Sequence, residues 1–224
     1  MKIMVRWLAG AAVVWGFGFS GLMPASGFTA DKYGPEEIVN GGLENWSSGM
    51  AEDWARGGKE SNSSIAEETS GVYEGKSAAK ITVDQDNSFI ALTPKKAARI
   101  SAPGGTTYKF SCWAKGEKGG EGFYLMINED NPAKSGAQSD TDRHNWLQGT
   151  YHVNGAKEIK GWGDWGTSVR IYDLTTDWQK VEFFFTTSPD STYIRLERVG
   201  ARNNAGNVYW IDDISIRKVT GSGG

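Results

Sequence analysis

Thr107-Tyr108-Lys109-Phe110-Ser111-Cys112-Trp113-Ala114-Lys115 alternates without a break. Successive side chains of a strand leave on opposite faces, so Tyr108, Phe110, Cys112 and Ala114 point one way and Thr107, Lys109, Ser111, Trp113 and Lys115 the other. One face is apolar enough to pack a core; the other carries a lone Trp among polar groups. The same division separates Val181, Phe183 and Phe185 from Lys180, Glu182 and Phe184, and Ile194 and Leu196 from Tyr193, Arg195 and Glu197. Sheets with one packed and one solvated face bury themselves against each other, and the pattern predicts a two-sheet β-sandwich.

Working outward, short alternating runs succeed one another with almost no helical periodicity, which makes the class all-β. Strands are expected over 38–44, 64–68, 78–83, 89–93, 97–101, 107–115, 122–128, 147–152, 168–172, 178–187, 192–199 and 208–217. Turn punctuation separates them, as at Pro103-Gly104-Gly105 and Ser188-Pro189-Asp190. Two stretches, 131–143 and 154–167, break the rhythm, and the second holds Gly161-Trp162-Gly163-Asp164-Trp165-Gly166. Residues 221–224 read as a flexible tail.

The first residues read as an export signal. Lys2 and Arg6 give a positive start, 7–19 is apolar or small, and Ala25-Ser26-Gly27 offers a cleavage site. Residues 1–27 are therefore expected to be removed, leaving a 28–220 domain that is secreted, periplasmic or on the cell surface, with no stable membrane insertion; an uncleaved anchor is the rival reading. Cleavage would move the formal charge from -3 to -5. An acidic chain lacks the basic footprint of nucleic-acid binding. The lone Cys112 allows no internal disulfide, so core burial or a metal must stabilise the fold.

Several segments, in order, resemble the carbohydrate-binding modules of the family 4, 9, 16 and 22 type. They are Val39-Asn40-Gly41-Gly42-Leu43-Glu44 followed by Trp54, the stretch Tyr73-Glu74-Gly75-Lys76-Ser77-Ala78-Ala79-Lys80-Ile81, Tyr108 to Lys115, Thr176-Asp177-Trp178-Gln179-Lys180-Val181, and Val208-Tyr209-Trp210-Ile211-Asp212-Asp213-Ile214. The resemblance spans about 38–218. It implies a jelly roll of the galactose-binding-like kind, a structural calcium ion in many members, and sugar binding in a cleft or on one sheet.

Asp212 draws notice by itself, because alternation sets it in a row with Val208, Trp210, Ile214 and Ile216. A carboxylate there is costly to bury unless it is paired or metal-bound, or unless a bulge turns it to solvent. The resemblance supplies Glu44 as its partner in holding Ca2+, with Ser77 or Asp213 completing an oxygen shell.

A sugar site needs flat aromatic faces for the C–H surface of a pyranose and a few side chains for its hydroxyls. Trp113, Tyr124, Asn128, Tyr193, Arg195 and Glu197 fall on non-core positions of strands expected to be neighbours, as a platform or an ordinary solvated face. Trp54 either caps the sandwich or lines a cleft; Trp162 and Trp165 either meet a polysaccharide or protein partner or fold back. His144 and His152 lack zinc spacing, and no nucleophile or phosphate-loop motif is evident. The expected function is non-catalytic polysaccharide binding. A cell-surface structural or adhesive protein is the alternative, with a polysaccharide lyase or hydrolase behind it.

Overall fold

The computed structural model describes residues 32–58, 62–84, 89–95, 99–119, 121–130, 144–146, 149–153, 156–158, 169–202 and 205–221. The expected signal segment, the 131–143 stretch, and Trp162 and Trp165 lie outside them. Seventeen strands are present among the described residues: β1 (Lys32–Glu36), β2 (Trp46–Ser47), β3 (Met50–Ala51), β4 (Trp54–Gly58), β5 (Ser64–Glu68), β6 (Ala78–Thr82), β7 (Phe89–Pro94), β8 (Arg99–Ser101), β9 (Thr107–Gly116), β10 (Glu121–Asp130), β11 (His144–Trp146), β12 (Gly149–Val153), β13 (Ala156–Glu158), β14 (Val169–Leu174), β15 (Gln179–Thr186), β16 (Tyr193–Arg202) and β17 (Val208–Gly221).

They form two main antiparallel sheets. The first runs β13-β12-β15-β9-β17-β6-β5, with β1 also on β17; the second runs β11-β10-β16-β7-β4, with β14 on β10 and β8 on β16. The alternating stretch that decides the class is β9, near the middle of the first sheet. Phe110 is in register with Phe183 on one side and Ile216 on the other, and Cys112 with Val181. From the second sheet, Ile90, Leu92, Leu125, Ile127, Ile194, Leu196 and Val199 join this apolar layer in one core cluster. Each such large side chain contributes about 1.5–3 kcal/mol by leaving water. The result is the all-β two-sheet sandwich that the alternation predicts, of the jelly-roll kind that the resemblance implies.

Two expectations need correction. Residues 38–44 form a turn, not a strand, since Asn40 and Leu43 take φ of 49° and 54°. Gly41 is required there: a Cβ on it would lie 1.9 Å from the Ile214 carbonyl oxygen, while its own carbonyl accepts from Ile214 N at 2.8 Å. The first strand is instead β1, hidden in the sequence because Gly34 and Pro35 interrupt any alternation.

The second correction concerns Asp212. The buried apolar residues of β17 are Tyr209, Ile211, Ile214 and Ile216, and a register shift between Asp212 and Ser215, with Asp213 at φ 48°, changes the phase of the strand. Trp210 and Asp212 therefore stand on the outward face, where Asp212 pairs with Trp113. Simple alternation assumes a period of two, and one extra residue breaks it.

Candidate functional site

Three groups of polar and aromatic residues lie outside the core. The first is built where the 69–77 connection crosses the outward face of the first sheet. Tyr73 lies flat on Trp113, with ring centroids 3.7 Å apart and planes 16° from parallel, and meets Trp178 edge-on at 6.1 Å. Gly71 anchors the connection: its carbonyl accepts from Trp178 Nε1 and from Lys115 Nζ, each at 3.1 Å. Lys115 Nζ also sits 4.8 Å from the Trp178 ring and 5.1 Å from that of Trp210. Trp113 stands on the solvent side of its strand as alternation predicts, yet the ring it would offer is covered. The exposed ring is Tyr73, which the turn chemistry of Gly71 to Gly75 concealed from the sequence reading.

Trp210 Nε1 donates to Glu68 Oε2 at 3.2 Å, and the amide and hydroxyl of Ser70 donate to Glu68 Oε1. Ser70 chiefly, then Trp210, with Lys80 nearby, lowers the Glu68 carboxyl to about 2. Its folded pKa is depressed, so its stabilisation is present above the ordinary value near 4.5 and is lost as pH falls through about 2. Glu68 is half-buried but keeps contact with solvent, and screening reduces the effect to about 1 kcal/mol. Thermal melts at pH 5 and pH 2.5 should show a smaller acid loss for Glu68→Gln than for the parent.

The second group is the carboxylate pair. Asp212 is 1% exposed. Its Oδ2 accepts from the amides of Tyr73 and Glu74 at 3.1 and 3.2 Å, and its Oδ1 from that of Asp213 at 2.8 Å. Glu44 accepts from Lys76 N at 3.2 and 3.0 Å. Burial, with the like charge of Glu44 adding to it, raises the Asp212 carboxyl to about 6 against those amide bonds. Neither carboxylate has an ion-pair partner among the described residues. Glu44 lies near enough for its charge to be felt at Asp212, and ionised carboxylates are hard oxygen acceptors of the kind calcium takes, although no cluster of three or more acidic, His or Cys side chains gathers there among the described residues. Gly75, at φ 68°, belongs to this group: a Cβ on it would lie 1.9 Å from Glu44 Oε1. Ser77 commits its hydroxyl to Glu67 at 2.7 Å, and Asp213 contributes its amide to Asp212. Beside Glu44 opens a cleft of about 570 Å³ that Trp46, Glu52, Glu67 and Thr69 also line.

The third group lies on the outward face of the second sheet. Asn128 of β10 is in register with Arg195 of β16 and, on its other side, with Trp146 of β11. Arg195 is ion-paired to Glu197, and Asn128 Nδ2 donates to Glu197 Oε1 at 3.0 Å. Arg195 and Glu197 each expose 22% of their side chains, so the pair is recessed and does not project into solvent. Tyr193 is half-buried on the same strand, two residues from Arg195. Tyr124 belongs to β10, in register with Gly200.

The expected single platform is therefore divided. Trp113 stands on β9 of the first sheet, and Asn128, Tyr193, Arg195 and Glu197 on β10 and β16 of the second. Alternation assigns faces within a strand but says nothing of which sheet a strand joins. Trp54 leaves the list of ligand contacts. It is 0% exposed, with Nε1 donating to Asn40 O at 2.9 Å. Cys112 is buried and unpaired, and burial pushes its thiol well above the usual range, which suppresses the nucleophilic thiolate.

No family model matches the chain, and no curated protein does. Solved structures do. A Bacteroides thetaiotaomicron protein described as a candidate sugar-binding protein superposes with a TM-score of 0.50 at 14% identity, over 82% of this chain and 100% of that one. The enzymatically active domain of bacteriophage CBA120 tailspike protein 4 gives 0.51 at 10% identity, over 82% of this chain but 21% of that one. The CBM22-1 xylan-binding domain from a Paenibacillus barcinonensis protein gives 0.48 at 14% identity, over 86% and 100%. At such identities the likeness is one of fold, the β-sandwich.

Proposed function

We propose that this is an exported, non-catalytic carbohydrate-binding protein that takes a polysaccharide on the outward face of its second sheet. The observation that carries the reading is the recessed Arg195–Glu197 pair, with Asn128 bonded to the same glutamate. A fixed guanidinium beside a fixed carboxylate presents donors and an acceptor side by side, which suits the vicinal hydroxyls of a pyranose. Asn128 holds Glu197 in place, so little side-chain entropy remains to be lost on binding. Tyr193 supplies an aromatic flank for the C–H face of the sugar. The description of the Bacteroides neighbour as a candidate sugar-binding protein agrees with this reading.

Calcium belongs to the same proposal as a structural ion. Glu44 and Asp212 would hold it, and when bound it would supply positive charge to two carboxylates that have no ion-pair partner among the described residues. The chain's own part is to bring the 73–76 amides onto those carboxylates and so fix the connection across the first sheet.

Affinity electrophoresis through gels of soluble xylan, glucan and mannan tests the sugar proposal. The parent should be retarded by at least one of them. Arg195→Ala and Glu197→Gln should each weaken that retardation about tenfold or more, as loss of a charged hydrogen-bonding group does, with melting held near that of the parent. Equal retardation of parent and both variants removes the site from this face.

A further inference from the structure

The outward face of the first sheet carries more aromatic and cationic chemistry than holding one connection requires. We infer that Tyr73, seated on Trp113, with Lys115 beside the Trp178 ring and Lys180 beside that of Trp113, forms a second carbohydrate-binding surface, selective for acidic, uronate-bearing glycans.

The platform comes first. Tyr73 is 38% exposed, and the ring behind it is an indole 3.7 Å away and nearly parallel. A ring backed in this way is held in one orientation before any ligand arrives, so stacking a sugar on its free face costs little further order. The size of the patch also selects the ligand. Trp113, Trp178 and Trp210 are half-buried, which leaves essentially one ring facing water. A protein partner would need about 800 Å² on each side, whereas one ring matches one pyranose.

Charge then selects the kind of sugar. Around the Trp113, Trp178 and Trp210 rings stand Lys80, Lys115 and Lys180, and the acids among them are Glu68, Glu182 and the buried Asp212, which three backbone amides hold. Both glutamates are already engaged, Glu68 by Ser70 and Trp210, and Glu182 by Lys109 and Lys180 at 3.1 and 3.4 Å. Lys80 and Lys115 have no ion-pair partner among the described residues, so their ammonium groups keep charge for a ligand on a chain whose formal charge is -3. Lys115 donates to Gly71 O from an ammonium with three N–H bonds, which leaves donors for an incoming carboxylate. Lys180 Nζ lies 6.0 Å from the Trp113 ring centroid. A pyranose stacked on Tyr73 would direct a carboxylate on its ring carbon toward these ammonium groups. This surface belongs to the opposite sheet from the Arg195 face, and neither proposal depends on the other.

Polygalacturonate is the probe. In affinity electrophoresis the parent should be retarded by it, and added sodium chloride should relieve the retardation as charge contacts are screened. Tyr73→Ala should weaken binding about tenfold, the scale of one lost stacking contact plus its ordering, and Lys180→Gln severalfold. A parallel gel of neutral xylan reads the other face, where Tyr73→Ala should migrate as the parent does. No retardation of the parent by polygalacturonate would overturn the inference, as would a folded Tyr73→Ala variant retarded like the parent. Should Tyr73→Ala fail to fold, Lys180→Gln decides, because Lys180 belongs to β15 and not to the 69–77 connection; unchanged retardation there overturns the inference.

Discussion

Calcium added to chelator-treated protein is expected to raise the melting temperature by about 5–10 °C. An ion that binds only the folded chain, present at a hundredfold excess over its dissociation constant, stabilises by about 2.7 kcal/mol. For a domain of this size each kcal/mol is worth about 2–4 °C. The residues behind the expectation are Glu44 and Asp212, a pair in which one carboxyl is buried and raised to about 6, partly by the charge of the other. Asp212→Ala should abolish most of the calcium increment. Gly75→Ala should do so while leaving every carboxylate in the sequence, because its Cβ would lie 1.9 Å from Glu44 Oε1 and must displace that side chain. Magnesium should give less, since it demands tighter octahedral geometry and gives up its water reluctantly. Differential scanning fluorimetry with calcium, magnesium and EDTA measures all three. Superimposable melts in calcium and EDTA would remove the ion from the account.

Trp54→Ala should cost about 3–5 kcal/mol, the usual range for truncating a buried Trp. The indole is fully enclosed at the start of β4, where it belongs to the core cluster, and its Nε1 donates to the Asn40 carbonyl in the turn that Gly41 docks against Ile214. Truncation leaves a cavity and removes one of the two hydrogen bonds that the Asn40 carbonyl accepts, the other coming from Leu43 N at 3.2 Å. Trp54→Phe should therefore recover most of the packing but not the turn, and fall between the two. Urea unfolding gives the values directly. A loss below about 1 kcal/mol for Trp54→Ala would contradict its placement in the core.

The sandwich was legible because two neighbouring strands of its first sheet alternate strictly: the inward residues of β9 and β15, Phe110, Cys112, Val181 and Phe183, are the ones that alternation names. What alternation could not supply was everything set by a single residue of irregularity or by pairing between distant strands. One bulge at Asp213 turned Trp210 and Asp212 outward. Two left-handed residues made a turn of the Val39 to Glu44 stretch. The candidate site suffered most from sheet membership, since β9 and β16 present similar outward faces in sequence and belong to different sheets. Tyr73 was missed for a related reason: it lies between Gly71 and Gly75, outside any strand, and only the fold brings it onto Trp113.

Strand β1 has a mechanical corollary. Lys32 is in register with Gly221, and Tyr33 with Val219, so the strand that enters the sandwich and the strand that leaves it lie side by side with their outer ends together. Tension applied between those two points does not shear the ladder as a whole. It opens the β1–β17 bonds in succession, as a zipper does, so that the peak load falls on a few hydrogen bonds at a time. Glu36, which accepts from Ile216 N at 2.8 Å and Arg217 Nε at 3.0 Å, stands at the inner end of that ladder. It is the last fastening before a pull would reach the part of β17 that carries the core.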